Sequence, residues 1–144
     1  MATNHHKYVF DAALEMRDAG LVTASAASLV DGAAKILDLG LSMFEADLVI
    51  DVTVVEVATG NEKLEIEWQL SNSASFASGN VCATVVKIGD STVNGSSADS
   101  TTGRYVQPVH NEFNGTIYRY ARLYERYTGT IDTGYNFSAF LSKR

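Results

Sequence analysis

The sequence predicts an all-β protein, an antiparallel two-sheet β-sandwich of jelly-roll type with about eight strands. Apolar and polar residues alternate in several short runs, the pattern of strands with one buried face. Gly, Ser and Asn gather between these runs, and proline occurs only once in 144 residues. Because no stretch predicts a long helix, the strands must bury their apolar faces in two layers. We therefore expect a single jelly-roll domain over 1–144, with an N-terminal arm at 1–13.

The first half of the chain contains several candidate strands. "YVFDAALEM" (8–16) is apolar at every second position, which favours a strand over a short helix. "AAKILDLG" predicts a short strand that ends at Gly40, and "ADLVIDVTVVEVATG" predicts a central strand covered on both sides. "EKLEIEWQL" has the cleanest alternation, which predicts one face in the core and the other in water.

The second half begins with a loop, "SNSASFASGN", in which Phe76 is expected to fold back as an anchor. "VCATVVKIG" predicts a strand, and "DSTVNGSSADSTTG" (90–103) predicts a long polar loop that is mobile or ordered by a partner. In "RYVQPVHNEF", Pro108 predicts an edge strand or a bulge. Asn114 and Gly115 predict a tight turn into one long strand, "TIYRYARLYERYTG", and "YNFSAFL" predicts the last strand.

Composition restricts the class of protein. Seventeen acidic residues against 11 basic ones give a net charge of −6, which argues against binding to bulk nucleic acid. The single cysteine, Cys82, can form no internal disulfide, and its apolar surroundings predict a small buried thiol in a reducing compartment. No apolar run has the length of a membrane span, and the start lacks the apolar core of a signal peptide. We expect a soluble protein with no membrane partner that is not exported by the usual route.

Motifs that carry chemistry are weak or absent. "DTG" at Asp132 occurs once with ten residues after it, so a turn is favoured over an aspartic-protease site. The glycosylation patterns at Asn94 and Asn114 are interpreted as turns. A metal site from His5, His6 and His110 with Glu112 lacks the ligand order that zinc requires. We expect no catalysis, no cofactor and no metal.

The stretch 116–129 carries the candidate interaction surface. Counting in twos places Ile117, Ala121 and Leu123 on an inward row, and tyrosine and arginine alone on the opposite row. Tyr and Arg are enriched at protein interfaces, so this row is a candidate protein-binding surface. Its members are Tyr118, Tyr120, Arg122, Tyr124 and Arg126.

Two points stay open from the residues alone. The Tyr and Arg row could instead be covered by the protein's own N-terminal segment, with arginine stems lying along the rings. Arg119 falls on the inward row, where it would require a carboxylate or carbonyl partner that the sequence does not identify.

A family resemblance rests on the succession of strands and loops in "RDAGLVTASAA", "KILDLG", "DLVIDVTVVEVATGNEKLEIEWQLSNSASFASGN", "GRYVQPVHNEFNGTIYRYARLY" and "NFSAFL". This succession, roughly residues 14 to 141, resembles the capsid cement (decoration) proteins of podovirus-type bacteriophages. The resemblance implies a homodimeric jelly-roll subunit that is made in the host cytoplasm and binds the outside of the phage head. There it would stabilise contacts between subunits of the major capsid protein and would catalyse nothing.

A second, strand-level likeness is to galactose-binding-type jelly rolls, which bind carbohydrate through aromatic side chains in loops. "LSNSASF" before a strand and a late "RYARL" strand carry this likeness. A loop tyrosine such as Tyr105 or Tyr135 would be the expected contact. The loops are poor in aromatic residues, and Trp68 falls on an inward row, which argues against a sugar site.

Overall fold

The computed structural model describes residues 8–90, 93 and 101–143. Nearly all regular structure in them is β. The long strands are β1 (Glu15–Val22), β6 (Glu45–Val54), β7 (Lys63–Ser71), β8 (Val81–Gly89), β9 (Gly103–His110), β12 (Tyr120–Thr128) and β13 (Tyr135–Lys143). The two-residue strands are β2 (Ala26–Ala27), β3 (Leu29–Val30), β4 (Ala33–Ala34), β5 (Leu37–Asp38), β10 (Glu112–Phe113) and β11 (Thr116–Ile117).

Two antiparallel sheets pack against each other, which confirms the predicted all-β sandwich. Sheet I has the strand order β1-β13-β6-β9. Sheet II has the order β2-β12-β7-β8, and β5 also pairs with β12. The small hairpins β3–β4 and β10–β11 lie outside these two sheets.

The core lies between the inner faces of the two sheets. The alternation in β7 is confirmed on this side, since its four apolar residues are buried. The inner row of β13, which the sequence predicts as one apolar row, is buried as well. These two inner rows are Leu64, Ile66, Trp68 and Leu70 from β7, and Tyr135, Phe137, Ala139 and Leu141 from β13.

The structure confirms the predicted tight turn at Asn114 and Gly115, the predicted edge strand at Pro108 and the anchoring role of Phe76. Asn114 and Gly115 have φ angles of 50° and 82° and connect β10 to β11, as a tight hairpin turn requires. Pro108 lies in β9, an edge strand of sheet I, where a missing N–H donor is tolerated. Phe76 is buried, so the loop before β8 does fold back on it.

The N-terminal segment does not form the strand that its alternation predicts. Residues 12–14 form a 3-10 helix that Asp11 caps, and β1 begins only at Glu15. The ring of Phe10 meets Phe140 edge-on, with centroids 5.5 Å apart, on the outer face of sheet I. The apolar side chain of Phe10 therefore packs on the outside of sheet I and does not mark a strand. Residues 1–7 of the predicted arm, with His5 and His6, lie outside the described residues.

Two buried glutamates organise the loops at one end of the sandwich. Glu56 accepts hydrogen bonds from the backbone N–H groups of Asp132, Thr133 and Gly134 and from the Tyr127 hydroxyl. Glu62 accepts backbone N–H groups of the turn 59–61 in the same way. Each carboxylate thus replaces the backbone pairing that an irregular loop lacks.

Within residues 8–90, 93 and 101–143, no helix is long and apolar enough to cross a membrane. Residues 91–92 and 94–100 of the predicted polar loop, including Asn94, lie outside the described residues.

Candidate functional site

The candidate surface lies on the outer face of sheet II, where β12 presents alternate residues away from the core. Ala121 and Leu123 are fully buried beneath it, which confirms the predicted inward row at these two positions. Tyr120, Arg122 and Tyr124 are half-buried, and the side chain of Arg126 is 50% exposed. We call these four residues, Tyr120, Arg122, Tyr124 and Arg126, the Tyr–Arg face.

A polar network across β12 and β7 holds this face in place. Arg126 donates to both carboxylate oxygens of Glu67, at 2.9 and 3.3 Å. The Gln69 amide donates to Glu67 at 2.7 Å, and its carbonyl oxygen accepts Arg122 Nε at 2.8 Å. Glu67 and Gln69 are buried under the arginine side chains, although the alternation of β7 predicts this row in water.

Burial and charge both act on Glu67. Burial raises the pKa of Glu67, but the hydrogen bonds from Arg126 and Gln69 outweigh burial and hold that pKa below its usual range. The carboxylate therefore stays ionised and continues to bind Arg126.

The rings of Phe76 and Tyr124 contact the arginines of the Tyr–Arg face. The guanidinium carbon of Arg122 lies 4.5 Å from the ring centre of Phe76 and 5.4 Å from that of Tyr124. The guanidinium carbon of Arg126 lies 5.1 Å from the same Tyr124 ring centre. These are cation–π distances, and they restrict the conformations of both side chains.

Three residues of the stretch 116–129 differ from their predicted places, because the chain forms a hairpin before β12. Ile117 is 46% exposed in β11, so it does not belong to the inward row. Tyr118 packs against the core and lines an open cavity with Asn72 and Ser73, and it precedes β12, so it is not one of the outward residues of that strand. Arg119 is not inward either; it pairs with Asp38 in a two-bonded ion pair of 3.0 and 2.9 Å.

Cys82 is exposed on β8, so the prediction of a buried thiol is wrong. It pairs in register with Gln69 of β7, the residue that binds Arg122 of the Tyr–Arg face. The alternation of "VCATVVKIG" is too apolar to show which row faces out. Partial burial, and then the nearby Glu67 charge, raise the pKa of the Cys82 thiol.

A second polar cluster lies inside the sandwich and was not predicted. Arg17 of β1 donates to both oxygens of Glu125 on β12, at 2.8 and 3.2 Å, and the two residues are 6% and 5% exposed. The remaining Arg17 nitrogen donates to the backbone oxygens of Asp18, Gly20 and Phe137. A cavity of about 390 Å³ opens beside this pair. The pair links the two sheets, because Arg17 lies on β1 of sheet I and Glu125 on β12 of sheet II.

The residues of the other sequence motifs have structural partners. The "DTG" backbone binds Glu56, as a turn residue would. Tyr135 is fully buried and Tyr105 packs against the core, so neither is the loop tyrosine expected for sugar binding. The Trp68 indole donates to the His110 carbonyl from inside the sandwich. No group of three or more His, Cys, Asp or Glu in the described part of the chain could hold a metal ion.

Comparison with protein-family models finds no family that matches the chain, and comparison with curated proteins finds no match.

Proposed function

We propose that the protein is a capsid cement protein that binds the outside of a bacteriophage head and stabilises contacts between subunits of the major capsid protein. It acts by binding and catalyses no reaction. The observation that carries this proposal is the Tyr–Arg face, an outward row of two tyrosines and two arginines on one strand.

The side chains of the Tyr–Arg face are held in fixed positions, which supports a docking role. Its arginines are fixed by Glu67, Gln69 and two rings before any partner arrives. Side chains that are already ordered lose less conformational entropy on binding, so the contact is stronger for the same buried area. Aromatic rings and guanidinium groups are also the side chains whose truncation most weakens protein interfaces.

The described N-terminal segment leaves the Tyr–Arg face open. Phe10 lies against Phe140 on sheet I, the opposite side of the sandwich. Val9 and Phe10 are 70% and 56% exposed there, which gives the arm apolar groups for a second contact. A subunit that binds through two surfaces can join neighbouring shell subunits, and many such copies gain avidity from modest single contacts.

The proposal includes a jelly-roll connectivity and a homodimer. With β2 counted among eight main strands in chain order, the sheets read 1-8-3-6 and 2-7-4-5, an order that supports the jelly roll. Strand β8 pairs only with β7 among the described strands. Its free edge carries many β-branched residues, a single lysine and no proline, so little opposes pairing with a second copy.

Co-assembly with a head protein tests this function. The protein is mixed with empty shells of the major head protein encoded beside its gene, and the shells are sedimented. We expect the protein to co-sediment and to raise the temperature at which the shells open. A variant in which Tyr124 and Arg126 are alanine is expected to stay in the supernatant. Wild-type protein that neither binds these shells nor changes their stability would contradict the proposal.

A further inference from the structure

Three arginines of the segment 119–126 have different kinds of partner. Arg119 binds the Asp38 carboxylate and Arg126 binds the Glu67 carboxylate, so each charge is neutralised inside the chain. Within the described part of the chain, the only hydrogen bond of the Arg122 guanidinium goes from Nε to the neutral amide of Gln69. The amide orients the guanidinium without cancelling its charge.

The two terminal nitrogens of Arg122 have no hydrogen-bond acceptor among the described residues. These nitrogens carry four N–H donors. The guanidinium is nevertheless held in place, since its carbon lies 4.5 Å from the Phe76 ring centre and 5.4 Å from that of Tyr124. Burial lowers the pKa of Arg122, which is the effect of taking a cation partly out of water.

We propose that Arg122 is the anion-recognition residue of the Tyr–Arg face, and that its ligand is a carboxylate side chain on a partner protein. The identification of the partner as a shell subunit rests on the proposed function. The recognition of a carboxylate rests only on the Arg122 geometry.

The chemistry of the surroundings selects the ligand. A planar guanidinium with free terminal N–H groups matches the two oxygens of a carboxylate. A doubly charged phosphate would need more positive charge than the Arg122 guanidinium alone supplies, because Arg119 and Arg126 are already paired with carboxylates.

The shape of the surface favours a protein over an acidic sugar. Among the described residues, cavities lie beside Arg17, beside Tyr118 and beside Phe44, and Arg122 lines none of these three. Small ligands are usually held in concave sites, whereas protein partners dock on flat surfaces with ordered aromatic and arginine side chains.

Two measurements test the inference, one with the isolated protein and one with shells. The arginine side-chain NMR signals are followed while an acetylated peptide with one glutamate is added, then the same peptide with glutamine, then glucuronate. We expect the glutamate peptide to shift the Arg122 Nε–H signal and the glutamine peptide to leave it unchanged. In the second measurement, Arg122→Gln is expected to weaken shell binding at least about tenfold.

Arg119→Gln is the matched control for the second measurement. Arg119 pairs with Asp38 and belongs neither to the Tyr–Arg face nor to the arm contact on sheet I, so shell binding should stay near that of the wild type. Arg122→Lys keeps the charge but loses the planar fork, and intermediate affinity is expected. Backbone NMR spectra show whether each variant is folded.

The outcomes separate this inference from the proposed function. Equal shifts with the glutamate and glutamine peptides, or full shell binding by folded Arg122→Gln, would overturn the role of Arg122. A response to glucuronate alone would overturn the protein partner in favour of an acidic sugar. A selective response to the glutamate peptide, with no shell binding by any variant, would support Arg122 and contradict the cement function.

Discussion

The Arg17 guanidinium binds both oxygens of the Glu125 carboxylate, at 2.8 and 3.2 Å, between an edge strand of sheet I and a central strand of sheet II. Ser28 adds a hydroxyl donor to the same carboxylate. The guanidinium carbon also lies 4.2 Å from the Phe137 ring centre. This buried pair joins the two sheets.

Arg17→Met should strongly destabilise the protein. The variant leaves the Glu125 carboxylate buried without its cation, and removing one partner of a buried pair costs about 3–5 kcal/mol. Urea unfolding followed by tryptophan fluorescence measures the loss. Arg119→Met is the control, because its pair with Asp38 is exposed, and little change is expected. Equal losses in the two variants would contradict the linking role of Arg17.

Stability should fall at acidic pH. Burial raises the pKa of Glu56, but the Tyr127 hydroxyl and three backbone N–H groups outweigh it and leave that pKa below the usual value of 4.5. Since the folded pKa is the lower one, the unfolded state binds more protons as pH falls. The contribution of Glu56 is complete above about 4.5 and is lost as pH falls through the folded pKa.

Glu56→Gln tests this assignment. Both carboxylate oxygens face N–H or O–H donors, so an amide nitrogen would meet a donor at one of them. We expect the free energy of unfolding to fall by about 1–3 kcal/mol at neutral pH. Between about pH 6 and pH 3, a range that spans the usual glutamate pKa, the urea midpoint of the variant should fall less than that of the wild type. Parallel pH profiles for the two proteins would contradict the role of Glu56.

Gly89 at the end of β8 cannot carry a side chain. Its φ is 147°, and a Cβ there would lie 2.5 Å from the Glu62 carbonyl oxygen and 2.8 Å from the Tyr135 hydroxyl. Gly89→Ala should lower the free energy of unfolding by more than about 2 kcal/mol. Gly20→Ala is the matched control, since nothing lies within 4 Å of its Cβ position. Equal urea midpoints for the two variants would exclude a close approach at Gly89.

Cys82 should react with Ellman's reagent in the folded protein, because its side chain is exposed. The reaction at neutral pH should be slower than that of free cysteine, since partial burial and Glu67 raise the thiol pKa. The measurement is the rate of thionitrobenzoate release with and without urea. A thiol that reacts only after unfolding would contradict the exposed position of Cys82 and support the buried position predicted from the sequence.

Local patterns predicted the parts of the fold that depend on neighbours in sequence. The inner row of β7, the turn at Asn114 and the edge position of Pro108 all follow from spacing or backbone chemistry. The strand predicted from residue 8 is wrong over 8–14. The apolar side chain of Phe10 packs on the outer face of sheet I, and residues 12–14 form a 3-10 helix.

Long-range partners could not be predicted in the same way. Arg17 and Glu125 lie 108 residues apart, and alternation does not show which distant strands become neighbours. The candidate interface residues are predicted from strand alternation and from the enrichment of Tyr and Arg at interfaces. The structure adds the difference between Arg122, which binds the Gln69 amide directly opposite on β7, and Arg126, which binds the Glu67 carboxylate diagonally across the same two strands.

The most direct test of the central claim is a cryo-electron microscopy reconstruction of shells saturated with the protein. We predict that sheet II faces the shell and that Arg122 and Tyr124 lie within contact distance of capsid side chains. A reconstruction in which the Tyr–Arg face points to solvent while the protein binds through other surfaces would contradict it.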